Sequence, residues 1–230
     1  MRNVTFTPES GEPVPLRFGP PPVGGDDGFV ELFDGKTLAG WEKRSGSATF
    51  EVEQVDGAPA IVGRSAAGSP STYLCTEKTY GDFVLEFECK LSTRDFNSGV
   101  QIRSNVKFDG GREIVYGPQV DVMSSPGSAG YLYDQGTGRG WLVPRERHVK
   151  QNAFNNRGWN LFRVEARGDE IKTYLNGEPI ADLTDRRGAK SGFVALQVHS
   201  YQGQGAGVVM WRNVRIKPLD DAAAGGGGAP

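Results

Sequence analysis

The chain has 230 residues, a formal net charge of −2 and a sequence pI near 5.8. That balance lacks the basic face needed to grip nucleic acid or an anionic membrane, and no apolar run reaches the roughly 18–20 residues that span a bilayer. With 33 glycines, 14 prolines and 10% aromatic residues, the composition favours strands and turns over helices, in one domain rather than two.

Residues 1–28, ending in "GEPVPLRFGPPPVGGDDG", read as an extended or disordered arm. The "NVT" at Asn3 matches a glycosylation sequon but carries little weight there. The arm shows no charged-then-apolar targeting pattern, so the expected compartment is the cytoplasm or, if a leader has been trimmed, the periplasm or exterior. Residues 29–219 form the expected domain, and 220–230, "DAAAGGGGAP" after Asp220, a flexible tail.

Strand-like runs follow one another through the domain, separated by Gly, Asn, Asp and Pro: "FVELF", "TFEVEQV", "AIVGR", "STYLCT", "DFVLEFECKL", "SGVQIRS", "PQVDVM", "GYLYD", "WNLFRVEAR", "EIKTYLNG", "GFVALQVHS" and "VVMWRNVRIKPL". "LNGEPI" places Asn-Gly between two runs, a strong hairpin signature. About a dozen short strands in one domain imply an all-β sandwich of two packed antiparallel sheets. The two cysteines give no disulfide framework. Cys89 shares a strand face with Phe83, Leu85, Phe87 and Leu91, which predicts a buried free thiol. Trp41, Trp159 and Trp211 are expected in the core.

Side chains at i and i+2 of a strand point the same way. On that parity Gln101 and Arg103 share one face of "GVQIRS", Gln119 and Asp121 one face of "PQVDVM", and Gln197 and His199 one face of "LQVHS". Their alternates are apolar and suit a core. Three strands thus each present a polar pair, and neighbouring strands would assemble them into a polar floor; the bland alternative is an ordinary outer sheet face. Tyr131, Tyr133, Asp134 and Trp141 surround the Gly-rich "GTGRG". Aromatic faces beside hydrogen-bonding groups suit sugar rings, although packing in the sheet explains the tyrosines equally well. "GTGRG" and "GQGAG" open no helix after a strand and read as loops rather than phosphate cradles. "PRERHVK" (144–150) reads as a solvated loop. No GxSxG, HExxH or zinc-spaced Cys/His cluster occurs, which disfavours serine hydrolases and metallopeptidases.

Eight segments in order, "FVELFDGKTLAGW", "YGDFVLEFECKL", "NSGVQIRS", "GPQVDV", "GYLYDQGTGRGWL", "WNLFRVEARGDEIKTYLNG", "GFVALQVHS" and "WRNVRIKPL", resemble the 3-keto-disaccharide hydrolase family, also called domain of unknown function 1080. The resemblance spans about residues 29–219. It implies a concanavalin-like jelly roll whose concave sheet binds carbohydrate, in a largely bacterial family acting on glycosides oxidised to a ketone at C3. It further implies His199 as base or proton shuttle, Asp121 as its orienting or acid/base partner, and Arg103 with Gln101 as enolate stabilisers. Gln119 and Gln197 would fix hydroxyls, and Tyr133 and Trp141 would wall the site. Where the family carries an acidic residue this chain has Gln135, so Asp134 would serve as leaving-group acid. Asp121 and His199 are also the candidate ligands for a divalent ion such as Ca or Mn. Two other classes stay open: a lectin-like carbohydrate-binding module using the same floor, and an adhesion or assembly domain tethered by its ends.

Overall fold

The computed structural model describes residues 28–219, apart from 95, 150, 151 and 203–205, and the backbone of one short antiparallel pair, β1 (Thr5–Phe6) with β2 (Val14–Pro15). Asn3 of the sequon and the 220–230 tail lie outside the described residues. The remaining strands are β3 (Val30–Glu31), β4 (Trp41–Ser45), β5 (Thr49–Val55), β6 (Ala58–Arg64), β7 (Thr72–Thr76), β8 (Phe83–Leu91), β9 (Asn97–Asp109) and β10 (Arg112–Met123). They continue with β11 (Leu132–Gln135), β12 (Gly140–Trp141), β13 (Asn160–Arg167), β14 (Glu170–Leu175), β15 (Glu178–Thr184), β16 (Phe193–Val198) and β17 (Val208–Pro218). Among the described residues a single 3-10 turn occurs, at Arg145–Arg147. Among the described residues no helix is long and apolar enough to cross a membrane.

Two antiparallel sheets make the sandwich. The front sheet runs β12-β11-β10-β9-β16-β7-β4 and the back sheet β15-β14-β13-β8-β17-β6-β5, with β3 on β17. Period-2 alternation decides which side chains meet between them. From β8 come Phe83, Leu85, Phe87, Cys89 and Leu91; from the front sheet Val100, Ile102, Val120, Val122, Leu132, Val194, Leu196 and Val198. Phe87 stacks on Phe162 across β8 and β13 at 4.9 Å. Each large apolar side chain so buried contributes roughly 1.5–3 kcal/mol relative to exposure. The Asn176-Gly177 turn joins β14 to β15 with both residues at positive φ (52° and 88°), as a tight primed hairpin turn requires.

Cys89 is a free thiol in this core, as its strand parity predicts, and burial raises its pKa. Cys75 is free as well, but it lies on the opposite, outward face of the front sheet. Trp41 and Trp211 are core residues. Trp159 is not, contrary to expectation. It stands half-exposed on the back sheet, its indole N–H on Asp56 at 2.9 Å and the Arg212 guanidinium 4.1 Å above its ring.

Two runs read separately in the sequence, "SGVQIRS" and "PQVDVM", belong to one long hairpin. β9 and β10 pair from Asn97–Met123 to Asp109–Arg112, far past the edge of the sandwich core. The register shifts between Tyr116 and Gln119, at Gly117 (φ 135°), where any Cβ would come within 2.5 Å of the Ser104 hydroxyl. Beyond that bend the hairpin becomes a strap over the outer face of its own sheet. Val115 packs there with Tyr73, Cys75, Phe193 and Ala195. The strap tip is latched on β4: the Glu113 carboxylate accepts from the Ser45 N–H (2.7 Å) and from Arg44 (3.2 Å).

Candidate active site

Strand register brings most of the expected polar residues together. One cross-strand row reads Trp141–Tyr133–Gln119–Gln101–Ala195–Cys75, and the next reads Asp121–Gly99–Gln197–Tyr73. Residues directly opposite in an antiparallel pair share a face, so both rows line the outer side of the front sheet. Gly99 has a packing reason to be glycine, since a Cβ there would meet the Gln119 amide at 2.4 Å.

The floor is polar and shielded from solvent. Gln101, Gln119 and Gln197 are 0%, 3% and 1% exposed. Gln197 donates to the Tyr73 hydroxyl at 3.1 Å. Both amide atoms of Gln101 and the Oε1 atoms of Gln119 and Gln197 have no hydrogen-bond partner within the chain. A buried amide left unmatched costs about 1–3 kcal/mol, so these groups are held ready for a polar ligand at some expense to the fold. A cavity of about 1150 Å³ lies between the strap tip and the segments 45–46, 68–71 and 200–202; Tyr73, the partner of Gln197, and Val115 line it, and the three glutamines do not. Gln135 lines it.

Asp121 is 3% exposed. Burial pushes its carboxyl up to about 6; hydrogen bonds from Ser128 (2.7 Å) and Asn97 (3.3 Å), and the nearby charges of His199 and Arg145, only partly offset that. His199 follows the last residue of β16 and is half-buried. Its Nδ1 lies 2.7 Å from the Ser200 carbonyl. A carbonyl oxygen can only accept, so Nδ1 donates to it, and no hydrogen-bond partner of Nε2 occurs among the described residues. The Ser200 carbonyl, rather than Asp121, therefore orients the imidazole.

Arg103 and Asp134 are not in this face. β9 carries one residue more than its partners between Gln101 and Ser104, a bulge that breaks the alternation. Arg103 sits at that bulge with φ 46° and is 1% exposed. Its guanidinium donates to the carbonyls of Gly81 and Gly168 and to Asp82, at 2.7–2.8 Å. It ties loops together and does not face the floor. Asp134 points to the other side of β11 from Tyr133. It accepts from Arg139 and Thr137, and Arg139 in turn clamps Asp185. The Asp134 side chain is committed to those partners on the far side of β11 and does not face the floor.

Tyr133 and Trp141 do wall the floor, edge to face at 5.3 Å and both half-buried. The "PRERHVK" segment is not simply a solvated loop, because His148 is buried within it. As for a metal, Asp121 and His199 supply at most two ligands, and Asp121 already accepts two hydrogen bonds. No group of three or more His, Cys, Asp or Glu side chains that could hold an ion occurs among the described residues. The donor set does not fit a Ca or Mn site, which takes six or more oxygen-rich contacts for calcium. Sequence reasoning missed Asn97, Ser128, Tyr73 and Arg145. Tyr73 alone was accessible, since the parity of "STYLCT" sets it opposite Leu74.

Two antiparallel sheets with a strapped polar face on one of them define a concanavalin-like jelly-roll sandwich. Solved structures of the same fold include a provisionally assigned glycosyl hydrolase from Parabacteroides distasonis (TM-score 0.56, 20% identity, 84% of this chain and 95% of that one). Others are the carbohydrate-binding module CBM66 from Bacillus subtilis (0.54, 17%, 77% and 95%) and the β-glucanase of Bacillus licheniformis (0.52, 12%, 85% and 100%). No curated protein sequence matches the chain. Residues 28–217 match the 3-keto-alpha-glucoside-1,2-lyase-like domain, and the chain belongs to that family.

Proposed function

We propose that the protein cleaves 3-keto-glycosides by elimination across C1–C2 followed by hydration. The observation that carries this reading is the pairing, on one shielded sheet face, of His199 with a free Nε2 and a buried Asp121 whose carboxyl is raised to about 6. An imidazole able to accept a proton and a carboxyl that burial holds protonated are the pair that acid–base chemistry needs. A ketone at C3 acidifies the C2 hydrogen. His199 takes that proton, leaving an enolate at C2–C3. The enolate collapses to restore the C3 carbonyl, forms the C1–C2 double bond and expels the C1 oxygen. Asp121, still protonated near pH 6, gives that oxygen its proton. Water then adds across C1–C2 and the two residues return to their starting states, with no change of redox level. Gln101, Gln119 and Gln197 bind the sugar hydroxyls through their unpartnered amide atoms, against Tyr133 and Trp141.

Aglycone release from a 3-keto-glucoside tests this directly, with the corresponding 3-hydroxy glucoside as control. Turnover of the ketone alone is expected. Binding of both sugars with no release would instead favour a carbohydrate-binding module, the reading suggested by the fold shared with CBM66 and by a floor of amides suited to hydroxyls.

A further inference from the structure

With Arg103 committed elsewhere, the enolate oxygen of the proposed reaction needs another cation. The other basic side chains near the face are placed for different tasks. Arg44 holds Glu42 and Glu113, Arg139 holds Asp134 and Asp185, Lys43 reaches the Ala48 carbonyl at 3.5 Å, and Arg112 stands at the strap tip, the opposite end of the β9–β10 hairpin from Asp121. The segment after β12 is different. Its His148 ring lies parallel to Tyr131 at 3.7 Å and edge-on to Trp141 at 4.9 Å, with Nε2 3.0 Å from the Val143 carbonyl. The Val149 N–H donates to the Tyr131 hydroxyl at 2.7 Å. This aromatic clamp fixes the 3-10 turn beside the floor. It sets the Arg145 guanidinium 5.6 Å from the centroid of Trp141, the end residue of the Trp141–Tyr133–Gln119–Gln101 row. Arg145 also contributes to the field at the Asp121 carboxyl.

Hydrogen-bond polarity separates this end of the site from the floor. The unpartnered floor atoms are three amide oxygens and a single amide nitrogen. Amide oxygens accept from hydroxyls but cannot bond a ketone, which has no proton to give. A guanidinium is all donor, and its charge matches an oxygen that becomes negative.

We propose that Arg145 is a catalytic residue: its guanidinium binds the C3 carbonyl oxygen, holds the enolate charge formed when the C2 proton leaves, and selects 3-keto over 3-hydroxy sugars. This assignment rests on the elimination reading above. Charge moves from C2 onto the C3 oxygen and back again; Arg145 gives up no proton.

The test compares the full-length chain with Arg145→Gln and Arg145→Lys on a 3-keto-glucoside, following kcat, KM and exchange of the C2 hydrogen in deuterated water. Arg145 is solvent-exposed, so the variants should fold normally. Removing one such stabilising group typically costs about 10²–10³ in kcat. That loss is expected for Arg145→Gln, with C2 exchange slowed in parallel, a smaller change in KM and partial rescue by added guanidinium. Arg145→Lys should retain an intermediate rate. An active wild type with Arg145→Gln within twofold of it in kcat and exchange overturns the assignment and leaves the elimination reading standing. So does a change confined to KM. A wild type that releases no aglycone overturns the elimination reading, and this assignment with it.

Discussion

Both sheets bury polar side chains on their outward faces, and the two solve that problem in opposite ways. On the back sheet, Glu86 of β8 lies between Arg163 of β13 and Arg215 of β17, accepting from both at 2.6–3.0 Å. Arg163 also donates to Glu165, and Glu88 accepts from Arg212 and Asn213. Every charge in that ladder meets its complement. On the front sheet, Gln101, Gln119 and Gln197 are buried just as deeply and four of their six amide atoms go unmatched. The one other unmatched buried side-chain atom among the described residues, Trp211 Nε1, belongs to the core between the sheets. A paired ladder stabilises or specifies a fold. An unpaired one costs stability that only a ligand can return. The contrast marks the front sheet as the face with unmet hydrogen-bonding capacity, without reference to any relative.

The comparison can be broken from either side. The largest effect should come from His199→Ala, which removes the proposed base from a half-buried position. Turnover of a 3-keto-glucoside should drop by about 10²–10⁴, with an unchanged melting curve as the check. If activity survives intact, the proton-transfer role belongs to another group. On the back sheet, Glu86→Gln removes the buried charge that Arg163 and Arg215 share and should destabilise the protein by about 3–5 kcal/mol, measured by denaturant unfolding. Turnover of the folded variant should stay at wild type, because no ladder residue faces the floor.

Asp121→Asn should move activity and stability in opposite directions. Raising a carboxyl from 3.8 to about 6 means that burying its ionised form costs about 3 kcal/mol, at 1.36 kcal/mol per pKa unit. That cost is absent below pH 4, grows as pH rises toward 6, and is complete above it. The asparagine variant should therefore match wild-type stability in acid, exceed it by up to that amount at pH 7.5, and lose turnover throughout. Equal stability at both pH values would mean that Asp121 ionises freely.

Gln101→Leu gives the smallest expected shift. It replaces an amide with no partner at either atom, so unfolding free energy should rise by about 1–3 kcal/mol while KM for the sugar increases. A destabilised variant would mean that the amide has a partner in the free protein.

What the sequence determined by itself was whatever depends on local periodicity. Alternation in "DFVLEFECKL" and "GFVALQVHS" located the strands and their core faces, and Asn176-Gly177 located a hairpin. The same parity grouped Gln119 with Asp121 and Gln197 with His199 on the side away from the core, because side-chain direction in a regular strand follows from residue count alone; strand register then set Gln101 beside Gln119. Tertiary structure decided everything that depends on an interruption of that count or on contacts between distant segments. One extra residue in β9 turned Arg103 away to Asp82 and two loop carbonyls. Arg139 claimed Asp134 from five residues on and Asp185 from a different hairpin. Tertiary packing buried three amides that a flat sheet would have left in water. The stacking of His148 on Tyr131 turned an apparently solvated run into the clamp that presents Arg145. Periodicity carries no record of such partners, since their energies come from neighbours far away along the chain.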